Sequence, residues 1–233
     1  MSDIQSEYVE LSVADGSTMR AWFTHPAKEE TRAGLMVFQE AFGVNPHIRS
    51  VADRFARAGY AAIAPELYHR SSLGFEGSYD DMAPAIALAR QLKPEDTEND
   101  IRATHAFLRG RVGDNIACVG YCMGGRVSFL ANITAPVCAA VSYYGGGADV
   151  VGRAAECSAP MLFFWGEQDQ HIGSEHRQKV AEGLQASKHP SVQVTFSNAD
   201  HGFFCDQRSG YNPAAAKLSW DLTLSFFEQY LDK

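Results

Sequence analysis

Short apolar runs alternate with amphipathic stretches along most of the chain, and this pattern predicts its secondary structure. Short continuous apolar runs are typical of strands buried on both faces, whereas helical periodicity marks the stretches between them. We predict strands at residues 34–38, 60–64, 115–120, 139–144, 161–165 and 192–196. We predict helices at residues 46–58, 95–108, 124–132, 174–185 and 214–231. Strands that alternate with helices indicate an α/β fold, with a mostly parallel twisted sheet and helices on both faces.

The first part of the chain follows a different pattern. Residues 4–13 and 18–24 are rich in strand formers, and the turn sequence ADGS separates them. We therefore predict an N-terminal antiparallel hairpin at one edge of the sheet. Residues 71–93 are first Gly- and Ser-rich and then helical, so we expect segment 69–93 to form a modest lid. Because the chain shows no repeat, low-complexity tract or linker, we expect a single domain over residues 1–233.

Composition and charge exclude several classes of protein. The 233 residues include 20 Lys+Arg and 28 Asp+Glu, which gives a net charge of −8, and 45% are hydrophobic. This balance excludes a disordered chain and argues against a nucleic-acid partner. No apolar run approaches the roughly 18–20 residues of a membrane span, and the N-terminus is acidic where a signal peptide is basic. The five cysteines form no C-x-x-C pair, so we expect reduced thiols in the cytoplasm and no metal knuckle.

The strongest chemical motif is GYCMGG at residues 120–125, between a predicted strand and a predicted helix. It matches the G-x-S-x-G nucleophile elbow, with Cys122 in place of serine. A helix N-terminus favours a thiolate, and the backbone N–H of Met123 could then donate to an oxyanion. The alternative is a buried structural cysteine, which is how we interpret Cys118 on the preceding strand.

Chain order supplies the partners of such a nucleophile. In this architecture the acid and then the histidine follow the nucleophile. Asp169 follows the strand at 161–165, and His201 follows the strand at 192–196. Both therefore lie at the carboxyl ends of strands, where open α/β sheets build their sites. Glu167 and Asp200 are the competing carboxylates, although Asp200 is adjacent to His201 and we expect its side chain to point elsewhere.

A third segment, QEAFG at residues 39–43, directly follows the strand at 34–38. In related architectures this loop supplies the second oxyanion N–H, which makes Ala41 the expected donor. Glu40 is unusual, because a carboxylate at an apolar strand end is costly unless it is paired. The alternative is that Glu40 is a solvated loop residue.

Together these segments resemble the dienelactone hydrolase (carboxymethylenebutenolidase) family of the α/β-hydrolase superfamily. The matching pieces are QEAFGVN at 39–45, APELY at 64–68, VGYCMGG at 119–125, YYGGG at 143–147, WGEQD at 165–169 and DHGFF at 200–204. The resemblance implies a triad of Cys122, His201 and Asp169, and a Glu40 that holds or deprotonates the thiol. It also implies nucleophilic acyl transfer through a thioester, with no metal or organic cofactor.

The chain departs from the family where the substrate is held. Members that define the family bind the dienelactone carboxylate with arginines, one of them four residues after the catalytic histidine, where this chain has Cys205. Arg208 and, more weakly, Arg70 are the available replacements, and each could equally be a solvated surface residue. Aromatic residues could line the pocket or belong to the core: Phe42, Tyr79, Tyr143, Tyr144, Trp165, Phe203 and Phe204.

We therefore expect a cysteine-dependent hydrolase of a small lactone or ester, acting as a monomer or weak homodimer without nucleic-acid or membrane partners. A redox-responsive or non-catalytic protein of the same fold is the alternative, since an activated Cys122 could be a sensor thiol. An acyltransferase or peptidase would be expected to carry a larger cap than residues 69–93 provide.

Overall fold

The computed structural model describes residues 3–28 and 31–231. Its strands are β1 (Ile4–Ser12), β2 (Thr18–Pro26), β3 (Gly34–Phe38), β4 (Ala61–Pro65), β5 (Ile116–Tyr121), β6 (Ala140–Tyr143), β7 (Met161–Gly166) and β8 (Ser191–Phe196). Its helices are α1 (Pro46–Arg57), α2 (Ala83–Ala89), α3 (Pro94–Val112), α4 (Met123–Thr134), α5 (Ala148–Val151), α6 (Ser174–Leu184) and α7 (Pro213–Leu231). A 3₁₀ turn covers Ala154–Glu156.

Within the described residues the strands form one eight-stranded sheet in the order β1-β2-β4-β3-β5-β6-β7-β8. The first two strands pair antiparallel as a hairpin, β2 pairs antiparallel with β4, and the pairs from β4 to β8 are parallel. Every residue of the central strands β3, β5, β6 and β7 is buried, which explains their continuous apolar sequences. The predicted fold class and the edge hairpin are confirmed.

The structure departs from the sequence-based prediction mainly at helix ends and short turns. Helix α3 starts at Pro94 and continues to Val112, beyond the predicted residues 95–108. The single turn α5 and the 3₁₀ turn lie in a stretch for which no element was predicted. Such short pieces lack the several turns of periodicity that identify a helix from sequence.

The segment between β4 and α3 is held by a hydrophobic cluster separate from the main core. Ala85 of α2 is buried against Ala41 and Phe42, and Phe75, Tyr79 and Ala89 pack around these three residues. This group, which we call the lid cluster, fixes α2 beside the carboxyl ends of the parallel strands.

No helix among residues 3–28 and 31–231 combines the length and apolar character that crossing a bilayer requires.

Candidate active site

The nucleophile elbow connects β5 directly to α4. Cys122 adopts φ 55° and ψ −118°, a conformation that non-glycine residues rarely take. The turn requires glycine on both sides: a Cβ at Gly120 would collide with the carbonyl oxygen of Gly124, and a Cβ at Gly124 would collide with that of Phe38. The elbow therefore places the thiol at the carboxyl end of β5, a central strand, and at the N-terminus of α4.

His201 joins the thiol to a carboxylate. Its Nε2 lies 3.1 Å from the Cys122 sulfur, and its Nδ1 lies 2.8 Å from Oδ2 of Asp169. The other carboxylate oxygen of Asp169 accepts the backbone N–H groups of His171, at 2.7 Å, and Ile172, at 3.0 Å. Asp169 is therefore fixed in place and orients the imidazole, as in a nucleophile-histidine-acid triad.

The electrostatics of this group favour a charged imidazole. Burial by itself would lower the pKa of His201, but the negative charge on the Cys122 sulfur and the hydrogen bond with Asp169 raise it to about 10. Burial would raise the pKa of Asp169, yet its hydrogen bond and attraction to His201 lower it overall. The raised pKa of His201 favours an imidazolium at neutral pH, and a cation beside a cysteine sulfur promotes its reactivity as a nucleophile.

The competing carboxylates are engaged elsewhere. Asp200 accepts the backbone N–H of His201 at 2.6 Å instead of reaching its ring. Glu167 is half exposed and forms a 2.6 Å ion pair with Arg177. Asp169 is therefore the carboxylate that the structure brings to His201.

Glu40 is fully buried, so its interpretation as a solvated loop residue is wrong. Its two oxygens accept from Arg208, at 3.2 Å, and from the hydroxyl of Tyr79, at 3.0 Å. Burial opposes the charge on Arg208, but the negative groups around it, Glu40 foremost, together outweigh burial and raise the pKa of Arg208. The ion pair explains how a carboxylate is tolerated at this apolar strand end.

A cavity of about 380 Å³ opens over the thiol, a size typical of small-molecule sites. Ala41 and Met123, the predicted oxyanion donors, both line it beside Cys122 and His201, as do Phe42 and Arg208. The remaining lining residues are Met82, Ile86, Ala89, Arg126, Tyr144, Gly146, Gly147, His171 and Ile172.

Sequence reasoning did not single out Arg126, His171 or the α2 residues of this wall. Arg126 directly follows the VGYCMGG motif, and His171 lies two positions beyond Asp169. Their proximity to motif residues was the available signal. By contrast, nothing in the sequence indicates which face of α2 turns toward the thiol.

Arg70 is not brought to this cavity, which corrects its assignment as a substrate clamp. Its guanidinium makes two 2.9 Å hydrogen bonds to Asp100 and a 2.7 Å bond to Asp15. Asp100 is fully buried, and a buried carboxylate requires such a partner. Arg70 therefore stabilises the junction of α3 with the N-terminal hairpin.

The predicted aromatic residues form two groups, those at the cavity and those in the hydrophobic core. Phe42 and Tyr144 line the cavity. Tyr79 stands behind Phe42, with ring centroids 4.5 Å apart, and directs its hydroxyl at Glu40. The other four are core residues without a place in the lining: Tyr143, Trp165, Phe203 and Phe204.

One group of described side chains lies close enough to share a metal ion. Glu40, His47 and Cys205 are buried, with ligand atoms within 4.8 Å of one another. Burial and then the charge of Glu40 raise the pKa of the Cys205 thiol to about 12, so the thiol is protonated at neutral pH. Both Glu40 oxygens already accept hydrogen bonds, one from the cationic Arg208. A metal ion at this group would therefore have to displace Arg208 and Tyr79 from Glu40 and release the thiol proton of Cys205.

Comparison with known proteins agrees with this geometry. The sequence model of the Dienelactone hydrolase family matches residues 19–231. The chain belongs to the dienelactone hydrolase family. A carboxymethylenebutenolidase from Pseudomonas putida is 32% identical over 228 residues, which cover 95% of each chain. A candidate carboxymethylenebutenolidase from Synechocystis is 32% identical over 213 residues, covering 84% of this chain and 86% of the relative.

The structural comparison gives the same family. The crystal structure of a candidate dienelactone hydrolase from Klebsiella pneumoniae superposes with a TM-score of 0.90 at 28% identity, covering 98% of this chain and all of the other. The predicted α/β-hydrolase fold and family resemblance are therefore confirmed. Family membership makes the chain a carboxylic ester hydrolase of the dienelactone hydrolase type.

Proposed function

We propose that Cys122 is the nucleophile of this hydrolase, and that a small lactone or ester is opened through a thioester on its sulfur. The observation that carries the proposal is the single imidazole of His201 lying between the Cys122 sulfur and Asp169. That arrangement can stabilise a thiolate, protonate a leaving group and later activate water.

In the first half-reaction the Cys122 thiolate attacks the carbonyl carbon, and the backbone N–H groups of Met123 and Ala41 hold the oxyanion. The C–O bond to the leaving group then breaks, and the His201 imidazolium donates its proton to the departing alkoxide. In a lactone the departing oxygen stays attached to the acyl group, because the ring has opened.

In the second half-reaction His201, now neutral, removes a proton from water, and the resulting hydroxide attacks the thioester. The C–S bond breaks, the carboxylic acid leaves and the Cys122 thiolate is restored beside a protonated His201. Asp169 holds the ring in the same orientation through both steps.

We further propose that Glu40 and Arg208 act as a coupled pair. A substrate carboxylate that binds Arg208 would compete with Glu40 for the guanidinium group. Glu40 would then be free to hold or deprotonate the Cys122 thiol. The 3.2 Å ion pair and the position of Arg208 in the cavity lining support this role. The name of the Pseudomonas putida relative, carboxymethylenebutenolidase, supports a lactone as one substrate.

The test is hydrolysis of cis- and trans-dienelactone and of p-nitrophenyl acetate by the purified protein. Cys122→Ala should abolish turnover, and Cys122→Ser should reduce it strongly, because a serine hydroxyl is far less acidic than a thiol. Rapid quenching followed by mass spectrometry should find the acyl group on the peptide that contains Cys122. Turnover that survives Cys122→Ala would disprove the thiol mechanism, and inactivity on all three substrates would favour a redox or non-catalytic role.

A further inference from the structure

Two of the exposed large apolar side chains among the described residues stand on one wall of the catalytic cavity. Met82 is 40% exposed and Ile86 is 38% exposed, and both line the cavity that contains Cys122. Ala89 completes this wall. Positions 82, 86 and 89 fall on one face of a helix, so this side of α2, together with the residue that precedes it, lines the cavity that contains Cys122. Exposed apolar surface in a cleft marks a ligand groove.

The lid cluster holds this face in place. Ala85, one position before Ile86, is buried against Ala41 and Phe42, and the Phe42 ring packs on that of Tyr79 at 4.5 Å. Ala41 is also the residue proposed to hold the oxyanion. The apolar wall is therefore anchored directly beside the reacting carbonyl, rather than at a distant part of the surface.

Away from α2 the cavity is lined by what we call the facing wall, which includes the polar side chains of Arg126 and His171. Its other members are Gly146, Gly147, Ile172 and the ring of Tyr144, whose hydroxyl is buried. The guanidinium carbon of Arg208 lies 5.8 Å from the Phe42 ring and is paired with Glu40, and aliphatic carbons of Arg126 lie against Gly147. A substrate that extends between the two walls would mainly meet carbon.

We propose that the groove between α2 and the facing wall binds an uncharged alkyl or aryl group of the substrate, so that esters with such a group are the preferred class. This inference rests on the proposed hydrolytic function. Its physical basis is that an apolar chain in the groove removes its own surface, and that of Met82 and Ile86, from water.

The test uses two series of esters. The acyl series is p-nitrophenyl acetate, butanoate and hexanoate, and the alcohol series is the methyl, butyl and hexyl esters of one common acid. A fully buried methylene changes kcat/KM by about 4-fold, so the half-open groove should give roughly 2- to 4-fold for each methylene in the series whose chain enters it. The responding series identifies which side of the ester lies against α2.

Variants connect the effect to the groove. Met82→Ser and Ile86→Ser should flatten the dependence on chain length, because each removes apolar surface that the substrate chain would cover. Ala89→Phe should fill the groove and reverse the preference. Leu218→Ser, an exposed leucine on α7 with 51% of its surface accessible, is the matched control and should keep the parent's dependence.

Failure of this inference is distinguishable from failure of the proposed function. Cys122-dependent turnover of acetate with a flat response in both series would overturn the groove and keep the hydrolase. If no ester is turned over, the NMR resonance of the Met82 methyl group is followed during titration with hexan-1-ol. A saturable shift that Ile86→Ser weakens would support the groove, and the absence of a shift would overturn it. Sedimentation of a dimer that Ile86→Ser converts to monomer, with chain-length preference unchanged, would assign the surface to self-association instead.

Discussion

Removing the guanidinium of Arg208 should destabilise the protein far more than removal of an ordinary surface arginine. Glu40 is fully buried, and Arg208 is the cation that the structure places on it. In Arg208→Ala the carboxylate would keep the Tyr79 hydroxyl, at 3.0 Å, but would lose its counter-charge. Breaking a buried ion pair from one side costs about 3–5 kcal/mol. Because Tyr79 remains and the Arg208 side chain is 16% exposed, we expect the lower end, about 3 kcal/mol.

The loss should be visible in thermal unfolding followed by circular dichroism. In a chain of this size about 1 kcal/mol corresponds to roughly 2–4 °C, so Arg208→Ala should lower the Tm by roughly 6–12 °C. Glu40→Gln in the same chain removes the unpaired charge, so the double variant should recover much of this loss. Arg102→Ala is the control, because Arg102 pairs with Glu98 on the surface of α3 and should contribute less than about 1 kcal/mol.

The double variant also provides the refutation. If the Tm losses of Glu40→Gln and Arg208→Ala simply add, the two side chains are not energetically coupled, since independent sites behave in that way. In that case the ion pair would not explain how Glu40 is tolerated in the apolar surroundings of β3.

Three further outcomes follow from the site geometry. Cys122→Ala should lower the pKa of His201 below the value of about 10 in the parent, because the negative charge that favours the imidazolium is gone. The pKa is measured by NMR titration of the ring, and an unchanged value would show that the Cys122 sulfur does not raise it. Asp169→Asn should reduce kcat by about 10⁴-fold with an unaltered circular dichroism spectrum, because the imidazole loses its orientation; a loss under 10-fold would contradict the triad. Gly124→Ala should destabilise the fold strongly, because its Cβ meets two carbonyl oxygens, whereas Gly110→Ala, on open space in α3, should stabilise it by about 0.5–1 kcal/mol; equal denaturation midpoints would refute the steric argument.

The parts of the molecule that local sequence determines were predictable. The continuous apolar runs identified the central strands, because a strand buried on both faces has no polar side to interrupt it. Cys122, Asp169 and His201 could be chosen because each follows a predicted strand, and the carboxyl ends of parallel strands lie on one edge of the sheet.

The pairing of long charged side chains was not predictable, because it depends on contacts distant in sequence. Arg70 reaches Asp100, 30 positions away on α3, and Arg208 reaches Glu40, 168 positions away. An arginine can extend in many directions from its backbone, and which acid it meets is settled only by tertiary packing. The same limit hid the orientation of α2, because its sequence APAIALA is apolar on every face and indicates no preferred one.

The separation of the lid cluster from the main core has a consequence for how such an enzyme can diversify. The strands that carry Cys122, Asp169 and His201 belong to the main core, whereas α2 rests on a small set of side chains of its own. Substitutions on the exposed side of α2 can therefore reshape the cavity without disturbing the sheet that positions these three side chains. Ala41 and Phe42 connect the two, since both belong to the lid cluster and line the cavity that contains Cys122. Selection can therefore change which substrates enter the cavity while the arrangement of Cys122, His201 and Asp169 stays the same, provided that this junction is preserved.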